Sequence, residues 1–222
     1  MEEPDHIMIT RSYSSFYRQL DSVIKKYPNL KIAEFDGEFG IKGILDILNE
    51  ENEVVGSFSI EIKYRLEFPY RFPLLYEVGG DIQNEADWHK YPDGRCCITV
   101  DPDEILKCKD GISVITFIEN YAIPYFANQI YRFQNDKYLN GEYSHGFDGF
   151  REFYSELFKT TDTSKWREYV DIVSSGKTLK MDRNKPCFCG SGLKYKFCHD
   201  KVFYNIKKLG VEKIINDFKY LI

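Results

Sequence analysis

The stretch Phe58-Ser59-Ile60-Glu61-Ile62-Lys63-Tyr64-Arg65-Leu66 alternates strictly between apolar and polar side chains. Successive side chains of a β-strand point to opposite faces, so this pattern predicts a strand with one buried and one solvated face. Strands of that kind are typical of antiparallel sheets. Residues 58–66 therefore predict a fold that contains an antiparallel sheet with one face on the core.

Three further extended segments surround this strand, at residues 30–35, 41–48 and 74–78. Their connections are short, which favours a meander of four antiparallel strands. Apolar residues recur at helical spacing over 14–27 and again over 112–133. The sequence thus predicts an α+β fold in which helices flank a four-stranded meander.

The composition fits a folded protein. The 222 residues are 43% hydrophobic and include 17 Phe and 17 Tyr, enough to build a substantial core. The net charge of −5 disfavours general binding to a nucleic-acid backbone, so no nucleic-acid partner is expected.

The location of the protein is predicted from its termini and its cysteines. The first residues are acidic and do not resemble a signal peptide, and no apolar run approaches the ~20 residues needed to span a membrane. The six cysteines are unevenly spaced, which indicates metal and thiol chemistry rather than a disulfide framework. We therefore expect a cytoplasmic protein without a membrane partner.

Residues 81–102 follow the last predicted strand and have no clear periodicity, and long irregular segments of this kind are often functional. Asp93-Gly94 predicts a tight turn, and Cys96 and Cys97 come directly after it. Neighbours in an extended segment point to opposite faces, so one thiol can face solvent while the other faces the core. With His89 eight residues before Cys97, this pattern suggests a thiol nucleophile, although free cysteines are more often buried as small hydrophobic residues.

The tail contains the most specific pattern in the chain. Cys187 and Cys189 form a Cys-x-Cys pair, and Cys198-His199 follows after eight residues. Three thiolates and an imidazole are a usual tetrahedral ligand set for Zn²⁺. Such a small element has little core, so the bound metal would supply much of its folding free energy. The alternative is three reduced cysteines in a turn.

Residues 183–200 resemble the SEC-C motif, a small zinc-binding element found at protein C-termini. The resemblance implies a structural zinc ion held by Cys187, Cys189, Cys198 and His199. Such motifs mediate protein contacts, so the resemblance implies a metal but no reaction.

Residues 12–158 resemble a bacterial ubiquitin-conjugating-enzyme-like domain, or UBC fold. The resemblance is carried by the order of features: an N-terminal helix, a meander, the proline-containing segment Tyr70-Arg71-Phe72-Pro73, an irregular segment, and then Asp93-Gly94-Arg95-Cys96-Cys97-Ile98. The active segment of the eukaryotic family reads Asn-Gly-x-Ile-Cys-Leu. Aligned on it, the catalytic cysteine falls on Cys97, and Cys96 replaces the inward-facing isoleucine.

The chain departs from that family at one important point. The eukaryotic His-Pro-Asn signature is absent, and its asparagine aligns with His89. An imidazole N–H could still donate to a developing oxyanion, or His89 could act as the base for an incoming amine. A surface histidine that caps a turn is the alternative. His145-Gly146, after the long helix, also resembles the bacterial pattern.

The resemblance implies a thioester-forming transferase that carries a protein C-terminus on Cys97 and conjugates it to a target amine. Bacterial relatives occur in antiphage operons, including cyclic-oligonucleotide (CBASS) signalling systems, where the modified protein is a cGAS-like nucleotidyltransferase. A separate activating enzyme could be a further partner. The alternative is a catalytically silent UBC-fold module that only binds proteins, with the zinc-stabilised tail as a second contact.

The predicted organisation has three parts: a UBC-like domain over 1–160, a helical linker over 161–182, and the SEC-C element with a C-terminal helix over 183–222. Asp101 and Asp103 could accept a proton from an attacking lysine, but a turn or helix cap is favoured for both. The sequence assigns no role to His145 and does not give the oligomeric state, the modifier or the target.

Overall fold

The computed structural model describes residues 4–139, 143–144, 146–177 and 181–221, with side chains from residue 11 onward. The chain divides into two compact units. The first comprises Met1–Thr99 and Lys107–Glu142, and the second comprises Val100–Leu106 and Tyr143–Ile222.

A four-stranded antiparallel sheet in the order β1-β2-β3-β4 forms the centre of the first unit, which confirms the predicted meander. The strands are β1 (Leu30–Phe35), β2 (Glu38–Leu48), β3 (Val54–Lys63) and β4 (Leu74–Glu77). Phe58, Ile60 and Ile62 of β3 are buried, as their alternation predicts. Strand β3 ends at Lys63, earlier than the alternation over residues 58–66 predicts. The chain turns back after Arg65, because the Phe68 N–H donates to the Arg65 carbonyl at 2.9 Å.

Helices pack against the buried face of this sheet. These helices are α1 (Pro4–Lys26), α3 (Val114–Phe117) and α4 (Ile123–Asn135), with a π-helical turn at Ile118–Ala122 between the last two. Phe16 and Leu20 of α1 and Phe126 of α4 are fully buried in the core that the sheet covers. The ring of Phe126 stacks on that of Phe58 with centroids 4.5 Å apart, which joins α4 directly to β3.

The helix over 112–133 is interrupted next to Pro124, as a proline within a helical pattern predicts. In a regular α-helix the proline ring would clash with the carbonyl group four residues earlier, that of Asn120, and this residue lies in the π-helical turn Ile118–Ala122. The turn splits the helix into α3 and α4, and Pro124 lies in the first turn of α4. Helix α1 begins at Pro4, ahead of the residue 14 at which the helical spacing starts.

The second unit is helical. It contains α5 (Phe147–Phe158), α6 (Thr163–Ser174), α7 (Asp200–Leu209) and α8 (Val211–Leu221), and α2 (Asp101–Cys108) contributes its first residues. Trp166 of α6 is fully buried among aromatic side chains of α5, α7 and α8. Helix α6, which lies within the predicted linker of residues 161–182, therefore supplies part of the core of this unit. In the part of the chain described, every helix is too short or too polar to cross a lipid bilayer.

Gly37, in the turn between β1 and β2, and Gly43, within β2, differ in what surrounds them. Gly37 lies in the two-residue turn between Phe35 and Glu38 with φ +87°, and a Cβ added there would meet nothing within 4 Å. Gly43 also has positive φ (+143°), but its Cβ would lie 2.2 Å from the Asn29 carbonyl oxygen. That carbonyl accepts a hydrogen bond from the Ile44 N–H at 3.1 Å. The hydrogen bond holds the Asn29 carbonyl close to Gly43 at the edge of the sheet.

We expect Gly43→Ala to destabilise the first unit more than Gly37→Ala. Both substitutions force a side chain into a positive-φ conformation, at a cost of about 1–3 kcal/mol. Only Gly43→Ala also drives a methyl group into backbone, which adds about 1–3 kcal/mol by overpacking. Urea unfolding of the two variants measures the difference, and equal midpoints would contradict the close approach of Asn29.

Candidate functional site

Four predicted ligand residues come together in the second unit. The Sγ atoms of Cys187, Cys189 and Cys198 and one ring nitrogen of His199 all lie within 4.8 Å of one another. His199 Nδ1 is 3.3 Å from Cys187 Sγ and 3.1 Å from Cys198 Sγ, and the sulfurs of Cys189 and Cys198 are 3.5 Å apart. Around a tetrahedral zinc ion the same edges would measure roughly 3.5–3.8 Å, so the donor set fits such a metal.

A short backbone reversal brings the ligands together. The Cys187 N–H donates to the Leu193 carbonyl at 2.7 Å, and Pro186 pairs with Lys194 as an isolated antiparallel bridge. Gly190 and Gly192 have φ of 77° and 74°, values that glycine adopts without a steric penalty. A 3₁₀ turn at Tyr195–Phe197 then places Cys198 and His199 immediately before α7.

The imidazole of His199 is held by a residue outside the cysteine-containing segment. Its Nε2 is 3.1 Å from the hydroxyl of Tyr169 on α6, so Nδ1 faces the sulfurs. The two rings also make an edge contact at 5.0 Å between centroids. Histidines that bind metals are commonly oriented in this way by a hydrogen bond on the second ring nitrogen.

The thiols of the cluster differ in acidity. Burial raises the pKa of the Cys187 thiol to about 11. The pKa of Cys189 is about 7, because hydrogen bonds with Ser191 and with the neighbouring thiols outweigh the opposing effect of burial. Burial, together with the charges of Lys159 and Lys165, lowers the pKa of His199 and favours the neutral imidazole that can bind a metal. The cluster can therefore supply both a thiolate and a neutral imidazole.

The second candidate site is the cysteine pair of the first unit. The alternation predicted for it is present: Cys96 is buried in the core and Cys97 is only half-buried. The Cys96 N–H donates to the Leu75 carbonyl on β4 at 2.8 Å, and the Cys97 N–H donates to the His89 carbonyl at 2.7 Å. Burial raises the pKa of Cys96 to about 12, so its sulfur is protonated at neutral pH.

His89 lies opposite Cys97 in the main chain, because Lys90 pairs with Cys96 in an antiparallel bridge. Its backbone is left-handed, with φ 49° and ψ 42°. The side chain is 9% exposed, and its ring makes an edge contact with Tyr138 at 5.2 Å between centroids. The structure thus joins the His89 backbone to that of Cys97 and packs the imidazole against an aromatic ring.

Side chains of α4 donate hydrogen bonds to the main chain of residues 87–89. The Tyr125 hydroxyl donates to the His89 carbonyl at 3.0 Å, and the Gln129 amide donates to the Trp88 carbonyl at 3.0 Å. The Arg132 guanidinium lies 3.9 Å from the centre of the Trp88 ring and donates to the Asp87 carbonyl. Successive turns of one helix therefore bind three consecutive carbonyl groups of this irregular segment.

A buried ion pair lies beside the cysteines. Lys90 Nζ donates to the Glu77 carboxylate of β4, and the two residues are 3% and 2% exposed. Neither was a predicted site residue, and in the sequence both look like ordinary surface charges. The hydrophobic pattern around Leu75 gives a weak signal for Glu77, because Leu75 and Glu77 occupy the same face of β4.

The remaining candidates lie elsewhere. Asp101 and Asp103 occupy the first turn of α2, where acidic groups are favoured by the helix dipole, and Asp101 forms an ion pair with Lys213 at 2.9 Å. Cys108 is fully buried in the core of the first unit. His145 lies outside the described residues.

Comparison with known proteins identifies one segment. Residues 183–200 match the family model of the SEC-C motif. No solved structure matches the chain. The motif match covers the whole Cys187, Cys189, Cys198 and His199 cluster, so these residues are the candidate metal ligands of a C-terminal SEC-C element.

We expect iodoacetamide to modify Cys97 in the native protein and to leave Cys96 and Cys108 unmodified. Only Cys97 is accessible among these three, and alkylation requires an accessible thiolate. Peptide mass spectrometry at short reaction times gives the site of labelling, and labelling of all three in denaturant is the control. Equal labelling of Cys96 and Cys97 in the folded protein would contradict the observed alternation.

Proposed function

We propose that the C-terminal element holds one structural Zn²⁺ ion through Cys187, Cys189, Cys198 and His199. The distances among the four donor atoms, the Nδ1 orientation of His199 and the motif match support this metal. When bound, zinc crosslinks residues on either side of the backbone reversal. The set of four protein ligands leaves no open position, which fits a structural rather than a catalytic metal.

We further propose that residues 1–160 form a UBC-like transferase domain with Cys97 as its nucleophile. One observation carries this proposal. Of the two adjacent cysteines after the tight turn, Cys97 aligns with the catalytic cysteine of the family, and Cys97 is also the accessible one. The order of elements also supports it, because α1 and a four-stranded meander precede the cysteine and α4 packs on the sheet.

The proposed chemistry has two acyl-transfer steps. The Cys97 thiolate attacks the carbonyl carbon of an activated protein C-terminus, forms a thioester and displaces the activating group, either AMP or the thiol of an activating enzyme. A target amine then attacks the thioester, an amide forms, and Cys97 regains its proton as the amine loses one. His89 is the candidate donor to the developing oxyanion.

The proposed partners follow from the family resemblance. The donor is a protein C-terminus, and the cGAS-like nucleotidyltransferase of a bacterial antiphage (CBASS) operon is the proposed donor. A separate activating enzyme would provide the ATP-dependent first step. The proposal assigns this chemistry to residues 1–160 and protein contacts to the SEC-C element, in the cytoplasm.

A silent protein-binding module is the second candidate, and the packing of His89 favours it. The imidazole is largely buried and contacts Tyr138, whereas an oxyanion donor has to point to the reacting carbonyl. In this candidate Cys97 forms no acyl intermediate, and both units only bind partners.

Purified protein should contain one zinc ion per chain by metal analysis, and Cys189→Ser should lower this value to near zero. Loss of zinc should also loosen the second unit, because Cys187 and Cys198 belong to its core, while the sheet of the first unit stays folded. Cys97→Ser is the matched control, since it removes a thiol outside the cluster and should keep the zinc. A Cys189→Ser protein that retains stoichiometric zinc would exclude this ligand set.

Incubation with ATP and the proteins encoded by neighbouring genes should give a thiol-sensitive adduct on Cys97. Intact-mass analysis and non-reducing gels detect it. Cys97→Ala should abolish the adduct and all conjugates, whereas Cys96→Ala should keep most activity. Conjugates formed by Cys97→Ala, or no adduct with any neighbouring gene product, would favour the binding module.

The same assay tests His89. His89→Ala should slow transfer to the amine by about 10²–10³-fold, the usual effect of removing one oxyanion donor. His89→Asn is the control, because asparagine tolerates the left-handed backbone and supplies an N–H donor. Equal rates for His89→Ala and the wild type would exclude the donor role.

A further inference from the structure

One buried ion pair connects Lys90, in the segment that leads to Cys97, with Glu77 of β4. Lys90 Nζ reaches the Glu77 carboxylate at the end of β4 and also donates to the Ile82 carbonyl at 2.9 Å. The other carboxylate oxygen of Glu77 accepts the Gly80 N–H at 2.9 Å. Gly80, just before the irregular segment, and Lys90, within it, are therefore bound to the same carboxylate.

The pair is coupled to the cysteines through the backbone. Lys90 pairs with Cys96, and the neighbouring His89 carbonyl accepts the Cys97 N–H. On the opposite side, the Glu77 N–H donates to the Gly94 carbonyl at 3.1 Å, and the Leu75 carbonyl accepts the Cys96 N–H. A displacement of Lys90 would thus move the hydrogen-bond acceptor of Cys97.

The energetic cost of this arrangement suggests that it has a specific role. Transfer of two charges out of water is expensive, and a buried ion pair is often no more stabilising than apolar residues of similar volume. Buried pairs are best attested where they fix a register or a single conformation. The main-chain hydrogen bonds of the segment between Glu77 and Cys97 are those of short turns, a 3₁₀ turn and isolated bridges, so no strand ladder fixes its path as a whole.

We propose that Glu77 and Lys90 are positioning residues for Cys97: their buried ion pair fixes the conformation of residues 80–97 and thereby the direction of the Cys97 thiol. This inference rests on the proposed role of Cys97 as the reactive thiol. Glu77 and Lys90 act through the backbone and do not touch the reacting atoms.

The test is the double variant Glu77→Gln/Lys90→Met. Gln keeps an acceptor for the Gly80 N–H, and Met keeps most of the lysine stem. The main changes are therefore the loss of both charges and of the hydrogen bond from Lys90 to the Ile82 carbonyl. A single Lys90→Met change would leave a buried, unpaired carboxylate and destabilise the whole unit. Lys26→Met/Glu119→Gln is the matched control, because it removes an exposed ion pair of the same unit.

The readouts are the thermal midpoint, residue-resolved amide hydrogen exchange and the iodoacetamide labelling rate of Cys97. In the double variant we expect a midpoint close to that of the wild type and unchanged protection of β3. Protection of the Cys97 amide should fall at least tenfold, and the labelling rate should change severalfold. The Lys26→Met/Glu119→Gln control should alter neither quantity.

Unchanged Cys97 exchange and labelling in a folded double variant would overturn the proposal. If the double variant does not fold, Glu77→Asp gives the same test, because it keeps the charge but shortens its reach; a folded Glu77→Asp protein with wild-type Cys97 exchange would likewise overturn it. Neither measurement needs a partner protein. A failure to form conjugates, which would count against the proposed transferase, is therefore separate from a failure of the positioning role.

Discussion

Two main-chain hydrogen bonds on either side of the cysteine pair connect the first unit to its candidate site. Cys96 bonds to Leu75 on β4, and Cys97 bonds to His89 in the irregular segment. The first bond extends the sheet by one short segment, and the second fixes which of the two thiols faces the core. Because strand neighbours point to opposite faces, Cys96 is buried in the core and Cys97, which faces away from it, is half-buried.

The irregular segment is held by contacts that differ from those of the sheet. It has turn hydrogen bonds but no strand ladder, so contacts from other elements contribute to its conformation. Helix α4 binds its carbonyl groups through Tyr125, Gln129 and Arg132, and β4 contributes Glu77. A buried carbonyl group without a hydrogen bond costs folding free energy. The donors on α4 therefore allow these carbonyl groups to be buried, and they also orient the segment.

In the second unit the candidate metal site and the hydrophobic core are one structure. Cys187, Cys198 and Tyr195 are buried together with Trp166 and Phe203. The cluster is therefore completed by α6 and α7 as well as by the SEC-C residues, and Tyr169 contributes a hydrogen bond to His199 from outside the matched segment. Metal binding and the packing of these helices should stabilise each other.

The sequence alone determined the features that depend on local periodicity and spacing. The alternation of residues 58–66 is sufficient for the antiparallel sheet, because only a strand places these side chains on two faces. The spacing of Cys187, Cys189, Cys198 and His199 is sufficient for the ligand cluster, because the ligands are close in sequence and two glycines allow the reversal between them. Only the tertiary structure revealed the Glu77–Lys90 pair, the contacts of α4 and the bond from Tyr169. These groups are 13 to 45 residues from their partners. At such separations the pairing is set by how the elements pack, which neither propensity nor periodicity encodes.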